Sequence, residues 1–215
     1  MSKDLNHYYS EKEERLNIAT HAFGLLFSLI ALPFLILKSF DYEGFWKSAS
    51  LVVYGLSMII LYAASTFYHS AKEAKLRRKL NIFDHAAIYV LIAGTYTPFT
   101  LIVLAGSLGW VIFSLTWSFA LIGIVLKLFF IGRFDKLSTT IYVLMGWQII
   151  FVINPLIEKL STQGLQFLFL GGVFYTLGAV LYLLKKIKYN HAIFHVFVLF
   201  GSLCHFLSVY LFFES

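Results

Sequence analysis

The sequence predicts an all-α membrane protein: a seven-transmembrane-helix bundle with the N-terminus cytoplasmic and the C-terminus outside. Three observations predict it. Only 13% of the 215 residues are charged and 60% are hydrophobic, against about 25% and about 45–50% in a soluble domain, so the polar area needed to face water is missing. The apolar residues form long charge-free runs rather than ten-residue alternating segments, which argues for helices over a transmembrane barrel. The basic residues cluster on one side of those runs. With a mean hydropathy of +0.80, most side chains have lipid as their solvent.

A bilayer core takes about 20 helical residues at about 1.5 Å each. Leu16–Leu37 and Ser48–Ala71 meet this as spans one and two. His85–Leu126 has 42 residues and would make a helix of roughly 60 Å, about twice the needed length. It contains Ala-Gly-Ser-Leu-Gly at 105–109, a natural turn. It therefore divides into spans three and four, near 84–104 and 108–128. Leu137–Ile157, Leu160–Leu184 and Tyr189–Phe213 complete the seven. No linker, repeat or low-complexity tract divides the chain, so residues 1–215 are expected to form one domain with a short cytoplasmic tail of about residues 1–16. That tail is polar and mixed in charge, without the layout of a cleavable signal peptide. The single cysteine, Cys204, excludes an intramolecular disulfide and reads as a buried small hydrophobe.

Orientation follows from Lys and Arg. Lys3, Lys12 and Arg15, the cluster Lys72, Lys75, Arg77, Arg78 and Lys79, then Lys127, Arg133 and Lys136, and finally Lys185, Lys186 and Lys188 all fall on one side. Only Lys38, Lys47 and Lys159 fall on the other. Short basic loops mark the cytoplasmic face. The net charge of +6 is thus a topology signal and a contact for anionic headgroups. A nucleic-acid footprint would need a basic face on a water-exposed domain, and no such domain is expected. Trp46 and Trp110 fall at outer boundaries, where indoles anchor. Trp117 and Trp147 fall inside spans and are expected to pack.

Polar and ionisable groups inside a span face the bundle interior and suggest function. His21 lies near the start of span one and His69 at the end of span two. Asp84 and His85 open span three, and His191 and His195 open span seven. Four helices thus bring ionisable groups to one depth, the cytoplasmic leaflet. His205 lies about 15 Å further along its helix and reads as a packed, hydrogen-bonded histidine. His191 and His195 share a face at i,i+4, as do Ser65 and His69. Glu14 and His21 stand two turns apart, with Asn17 between them on nearly the same face if the helix starts early.

These residues suit a metal site. His69, His191 and His195 can supply three neutral imidazoles, a set that zinc accepts with a fourth position for water. Asp84 is better placed as the partner of that water, and Ser65 as a hydrogen-bond donor. His21 or His85 would support the ligands from behind. Iron and manganese also accept three His and one Asp, although zinc suits the set better. The competing reading of the histidines is a hydrogen-bonded network tying three helices. For Asp84 it is a helix cap or an ion pair with Arg77 or Arg78. For Ser65 it is close helix packing, and for Glu14, Asn17, Thr20 and His21 a cap or latch.

The same residues carry a family resemblance. Residues 14–24 (ERLNIATHAFG), 65–69 (STFYH) with Asp84-His85 and then 94–98 (GTYTP), and 191–195 (HAIFH) running on to 201–206 (GSLCHF) stand in order along the chain. The chain resembles the bacterial hemolysin III branch of the progestin and adipoQ receptor family, itself similar to the alkaline ceramidases. The resemblance implies a seven-helix bundle with zinc held by His69, His191 and His195, Ser65 nearby, and Asp84 near the zinc-bound water. It implies a multi-pass protein of the cell membrane, in a bacterium the cytoplasmic membrane. Two functions follow. One is a zinc-dependent hydrolase of a lipid amide or ester at the cytoplasmic leaflet, with membrane lipids as partners, a lipid substrate and a fatty-acyl product. The other is a non-enzymatic sensor or modulator of membrane state, in which zinc clamps the helices. Direct pore formation has little support in the sequence. Oligomeric state is not encoded in any feature read here.

Overall fold

The computed structural model describes residues 9–130 and 135–213. Lys3 and Arg133, used above for orientation, and the start of the expected tail lie outside them. Among the described residues there is no strand, and seven helices are long and apolar enough to cross a membrane. The order is α1 (Glu11–Ser39), α2 (Phe45–Ser70), α3 (Ala74–Pro98) running on as a π-helix (Phe99–Leu104), and α4 (Gly106–Phe130). The fifth span is α5 (Asp135–Trp147), a 3-10 turn (Gln148–Val152) and α6 (Ile153–Lys159). α7 (Thr162–Leu183) and α8 (Asn190–Phe212) complete the bundle.

Two helices begin five or more residues before their apolar runs. α1 starts at Glu11, where Ser10 Oγ accepts from the Glu13 amide at 3.3 Å. Glu11, Glu13 and Glu14 fill its first turn and complement the positive end of the helix. α3 starts at Ala74 rather than near residue 84. The basic residues from Lys75 to Lys79 therefore stand on the helix, not in a loop, and Asp84 is no helix cap. A charge-free run locates hydrocarbon, whereas a helix carries its charged turns on beyond it.

The long run turns where Ala-Gly-Ser-Leu-Gly stands. Pro98 has no N–H to give, and the π-helix after it closes with the Ala105 amide on the Thr100 carbonyl at 3.0 Å. Ala105 and Gly106 then take positive φ of 49° and 58°. The break in the fifth span also has a cause. Tyr96 Oη accepts from the Ile149 amide and donates to the Gly146 carbonyl, both at 2.8 Å. A phenol inserted into the i→i−4 ladder interrupts it. Pro155, near the start of α6, withholds another donor.

α3 is the most enclosed span. It packs on α2, α4 and α5; α1 packs on α2 and α8; α7 packs on α8. The core gathers Leu35, Tyr54, Met58, Leu61, Tyr62, Phe99, Leu156 and Val209. Apolar side chains on the outside, such as Phe23 and Ile30 of α1 and Phe119 and Ile122 of α4, face lipid. In that solvent, packing and interhelical hydrogen bonds hold helices together. Trp117 Nε1 donates to Thr97 Oγ1 at 3.1 Å, and Trp147 Nε1 to Thr176 Oγ1 at 2.8 Å, so both interior tryptophans pack as expected. Trp46 and Trp110 meet edge to face at 5.3 Å. Lys38 Nζ and Tyr42 Oη both donate to the Phe213 carbonyl, at 3.2 and 3.3 Å, and tie the α1–α2 turn to the end of α8. Burial pushes the Tyr42 phenol up to about 12, with the Asp41 charge adding to it, so it stays a donor.

Gly94 lets α3 lie directly against Ser57 of α2, whose Oγ and Cβ occupy the space a Cβ would need. Gly146 has nothing within 4 Å of that position. Gly94→Ala should cost about 1–3 kcal/mol by overpacking, while Gly146→Ala should change stability by less than about 1 kcal/mol. Unfolding of the two variants in one detergent measures the contrast.

Candidate metal centre

The last turn of α2 presents His69, and the first turns of α8 present His191 and His195. The entry to α8 is held firmly. Tyr189 takes a left-handed conformation, φ 59° and ψ 27°. Asn190 Nδ2 donates to the Tyr182 carbonyl at 2.9 Å and lies 3.5 Å from that of Leu181. The end of α7 thereby fixes the start of α8.

His69, His191 and His195 are all buried, and one ligand nitrogen from each lies within 4.8 Å of the others. His69 Nε2 stands 3.1 Å from His191 Nε2. Ring centroids are 4.9 Å apart for His69 and His191, 5.1 Å for His69 and His195, and 4.4 Å for His191 and His195.

Neighbouring groups set the tautomers. Glu14 Oε2 is 2.7 Å from His69 Nδ1, so that nitrogen carries the proton and Nε2 carries the lone pair. Asn17 Nδ2, at 3.4 Å from the same Nδ1, is too long to compete. The Thr20 hydroxyl donates to the carbonyls of Leu16 and Asn17 at 2.8 and 3.0 Å. Its oxygen, 3.2 Å from His195 Nδ1, is therefore the acceptor there, and His195 too keeps its lone pair on Nε2. Two of the three imidazoles are thus acceptors at Nε2, and only His191 can offer a proton. A cluster with more lone pairs than protons fits a metal cation, and a carboxylate behind a ligating imidazole is the usual support for one.

His21 stacks on His195 with centroids 3.5 Å apart, and neither of its ring nitrogens has a hydrogen-bond partner. Tyr9, just before α1, stacks on His191 at 4.8 Å. Burial raises its phenol well above the ordinary value, helped by the nearby phenols of Tyr182 and Tyr68 and the carboxylates of Glu13 and Asp84, so it lies there as a neutral ring.

Asp84 is buried and lines a partly open cavity of about 140 Å³ together with His21, His85, His191 and His195. The cavity runs between α3, α5, α7 and α8 past Ile88, Leu91, Trp147 and Phe194 to His205. His85 Nδ1 lies 2.8 Å from the Asn81 carbonyl. Ser65 is fully buried one turn before His69; its Oγ has no hydrogen-bond partner, and it is not on the cavity wall. His205 Nε2 donates to the Leu168 carbonyl at 3.1 Å, as expected of a packed histidine. Four contributors were not singled out from sequence as part of the site. Arg77 pairs with Glu14 rather than Asp84. Thr20 serves His195 rather than a helix cap. Tyr9 covers His191. Lys127 is buried on the cavity wall, although it reads as one more topology charge.

The family model described as haemolysin-III related matches residues 9–206. The chain is 48% identical to the hemolysin-3 homolog of Bacillus subtilis (strain 168) over 201 residues, 94% of each chain. It is 46% identical to hemolysin-3 of Bacillus cereus, over 92% of this chain and 90% of that one. It is 28% identical to the human monocyte to macrophage differentiation factor, over 92% of this chain and 83% of the human one. Taken with seven membrane-spanning helices and a three-histidine cluster at the end of α2 and the start of α8, these likenesses identify a multi-pass membrane protein that belongs to the haemolysin-III-related family.

Proposed function

We propose that the protein is a zinc-dependent, membrane-embedded hydrolase of a lipid amide or ester at the cytoplasmic leaflet. The observation that carries this is Asp84 on the wall of a largely apolar cavity that two of the three ligand histidines, His191 and His195, also line. His69, His191 and His195 would hold the ion, with Glu14 and Thr20 keeping two rings in the ligating tautomer. Bound there, zinc would supply Lewis acidity in a poorly hydrated setting. The Asp84 carboxylate takes the proton of an attacking water and returns it to the leaving group. Ser65, one turn from His69 but off the cavity wall, packs beneath the ligand-bearing turn of α2 rather than facing a bound substrate. The apolar wall toward Trp147 and Phe194 receives an acyl chain and excludes water, and the product is a fatty acid. The basic residues on the histidine end of the bundle support the cytoplasmic side, and the likeness of the motifs to alkaline ceramidases supports an amide.

One observation favours a second reading. The cluster ties α1, α2 and α8 through side-chain contacts, so a metal there would also clamp them as part of a membrane-state sensor. Asp84→Asn separates the two. On the enzymatic reading it keeps its zinc while hydrolysis of lipid amides falls about 10²–10⁴-fold. A wild type with full zinc that hydrolyses none of a broad panel of native lipids would instead favour the sensor.

His191→Ala and His195→Ala should each lose most of the bound zinc, measured by elemental analysis of detergent-purified protein. His205→Ala should keep it. A chelator should lower the thermal midpoint of the wild type, because an ion that binds only the folded state stabilises it by about 2.7 kcal/mol at a hundredfold excess over Kd.

A further inference from the structure

We propose that Arg77 is the positioning residue of the metal centre, one guanidinium that holds both the main chain and the ring of His69. The inference rests on the metal reading above. Through NH1, Arg77 donates to the carbonyls of Tyr68 and Ala71, each at 3.3 Å, and reaches that of His69 at 3.5 Å. These belong to the end of α2, where the last carbonyls lack the i+4 amide of a continuing helix, the Tyr68 carbonyl also taking the Ala71 amide at 3.3 Å. Through NH2 it donates to Glu14 Oε1. The other oxygen of Glu14, Oε2, takes the Nδ1–H of His69 at 2.7 Å. The circuit leaves His69 by its backbone and returns to it by its ring. Arg77 comes from α3, Glu14 from α1 and His69 from α2, so three helices agree on one imidazole.

The arrangement exceeds what a helix-to-helix latch requires. A latch between α1 and α3 would need only the Arg77–Glu14 pair. Here the second carboxylate oxygen is spent on a ligand, and the second arm of the guanidinium on the backbone that carries it. Arg77 is 3% exposed, and its Cζ lies 4.6 Å from the centroid of the Tyr68 ring. Burying such a cation is costly unless its donors are met. The planar fork of arginine serves two directions at once, whereas a lysine ammonium is a single compact charge that cannot hold both in the same geometry. Rotation of the His69 ring out of the cluster would break the Glu14 bond, and withdrawal of Arg77 would leave Glu14 free to follow it.

The test measures metal affinity of full-length protein in detergent, with zinc competed by a chromophoric chelator and cobalt absorption as a second signal. The proteins are wild type, Arg77→Lys, Glu14→Gln, the double variant, and Lys38→Met as a control. Lys38 bonds to Phe213 at the opposite end of α8, so Lys38→Met should lower stability and leave affinity alone. Arg77→Lys and Glu14→Gln should each weaken affinity about 10–100-fold and shift the cobalt spectrum. The double variant should be no weaker than the worse single, because both act along one path. Wild-type affinity in Arg77→Lys, or losses that add, would overturn the positioning role while leaving the metal site standing. A wild type that binds no metal would overturn the metal reading and this inference with it. If Arg77→Lys fails to fold, Arg77→Gln combined with Glu14→Gln removes both charges together and should match Glu14→Gln alone.

Discussion

Burying a polar atom in a bundle surrounded by lipid is expensive unless another polar atom meets it, and no water in the hydrocarbon can substitute. At the meeting of α1, α2 and α8 this constraint governs nearly everything. His69 is met by Glu14, Glu14 by Arg77, Arg77 by the last carbonyls of α2, and His195 by Thr20. Among the imidazoles there, what remains without a protein partner is His191 Nδ1 and both ring nitrogens of His21. Three imidazoles gathered in one small buried volume could hold a metal ion as well as lock helices together.

The rest of the bundle shapes the space beside it. α3 runs through the middle, brought close to α2 by Gly94 and joined to the fifth span by Tyr96. By taking over the Gly146 carbonyl and the Ile149 amide, Tyr96 splits that span and sets its direction next to Trp147. The cavity lies along the resulting gap, with Asp84, His191 and His195 near one end and His205 near the other. On the proposed function, this polar head beside a long apolar wall would receive an amphiphile. The same geometry explains why Asp84 stands apart from the tight histidine cluster, at a place where a bound molecule would reach it.

How much of this was legible depends on the kind of signal. The seven spans follow from charge-free length alone, because hydrocarbon thickness sets the minimum run. The turn at Ala105 to Gly109 was readable from its glycines. The three histidines could be grouped because a helix has a fixed rise, so position along a span gives depth. The i,i+4 pair His191 and His195 shares a face in any helix. Helix ends were less legible. α3 begins ten residues before Asp84, among lysines and arginines that read as a loop, because hydropathy reports solvent and not backbone conformation.

What the sequence by itself determined, then, is how many times the chain crosses and which ionisable groups share a depth; both are one-dimensional properties of a helix in a slab of known thickness. Only the tertiary structure decided which groups face one another around the bundle axis. It paired Glu14 with Arg77 and His69, gave Thr20 to His195, laid Tyr9 over His191, buried Lys127, and left Ser65 off the cavity wall. Rotation and azimuth arise from helix–helix packing between residues far apart in the chain, and no local period in the sequence records them.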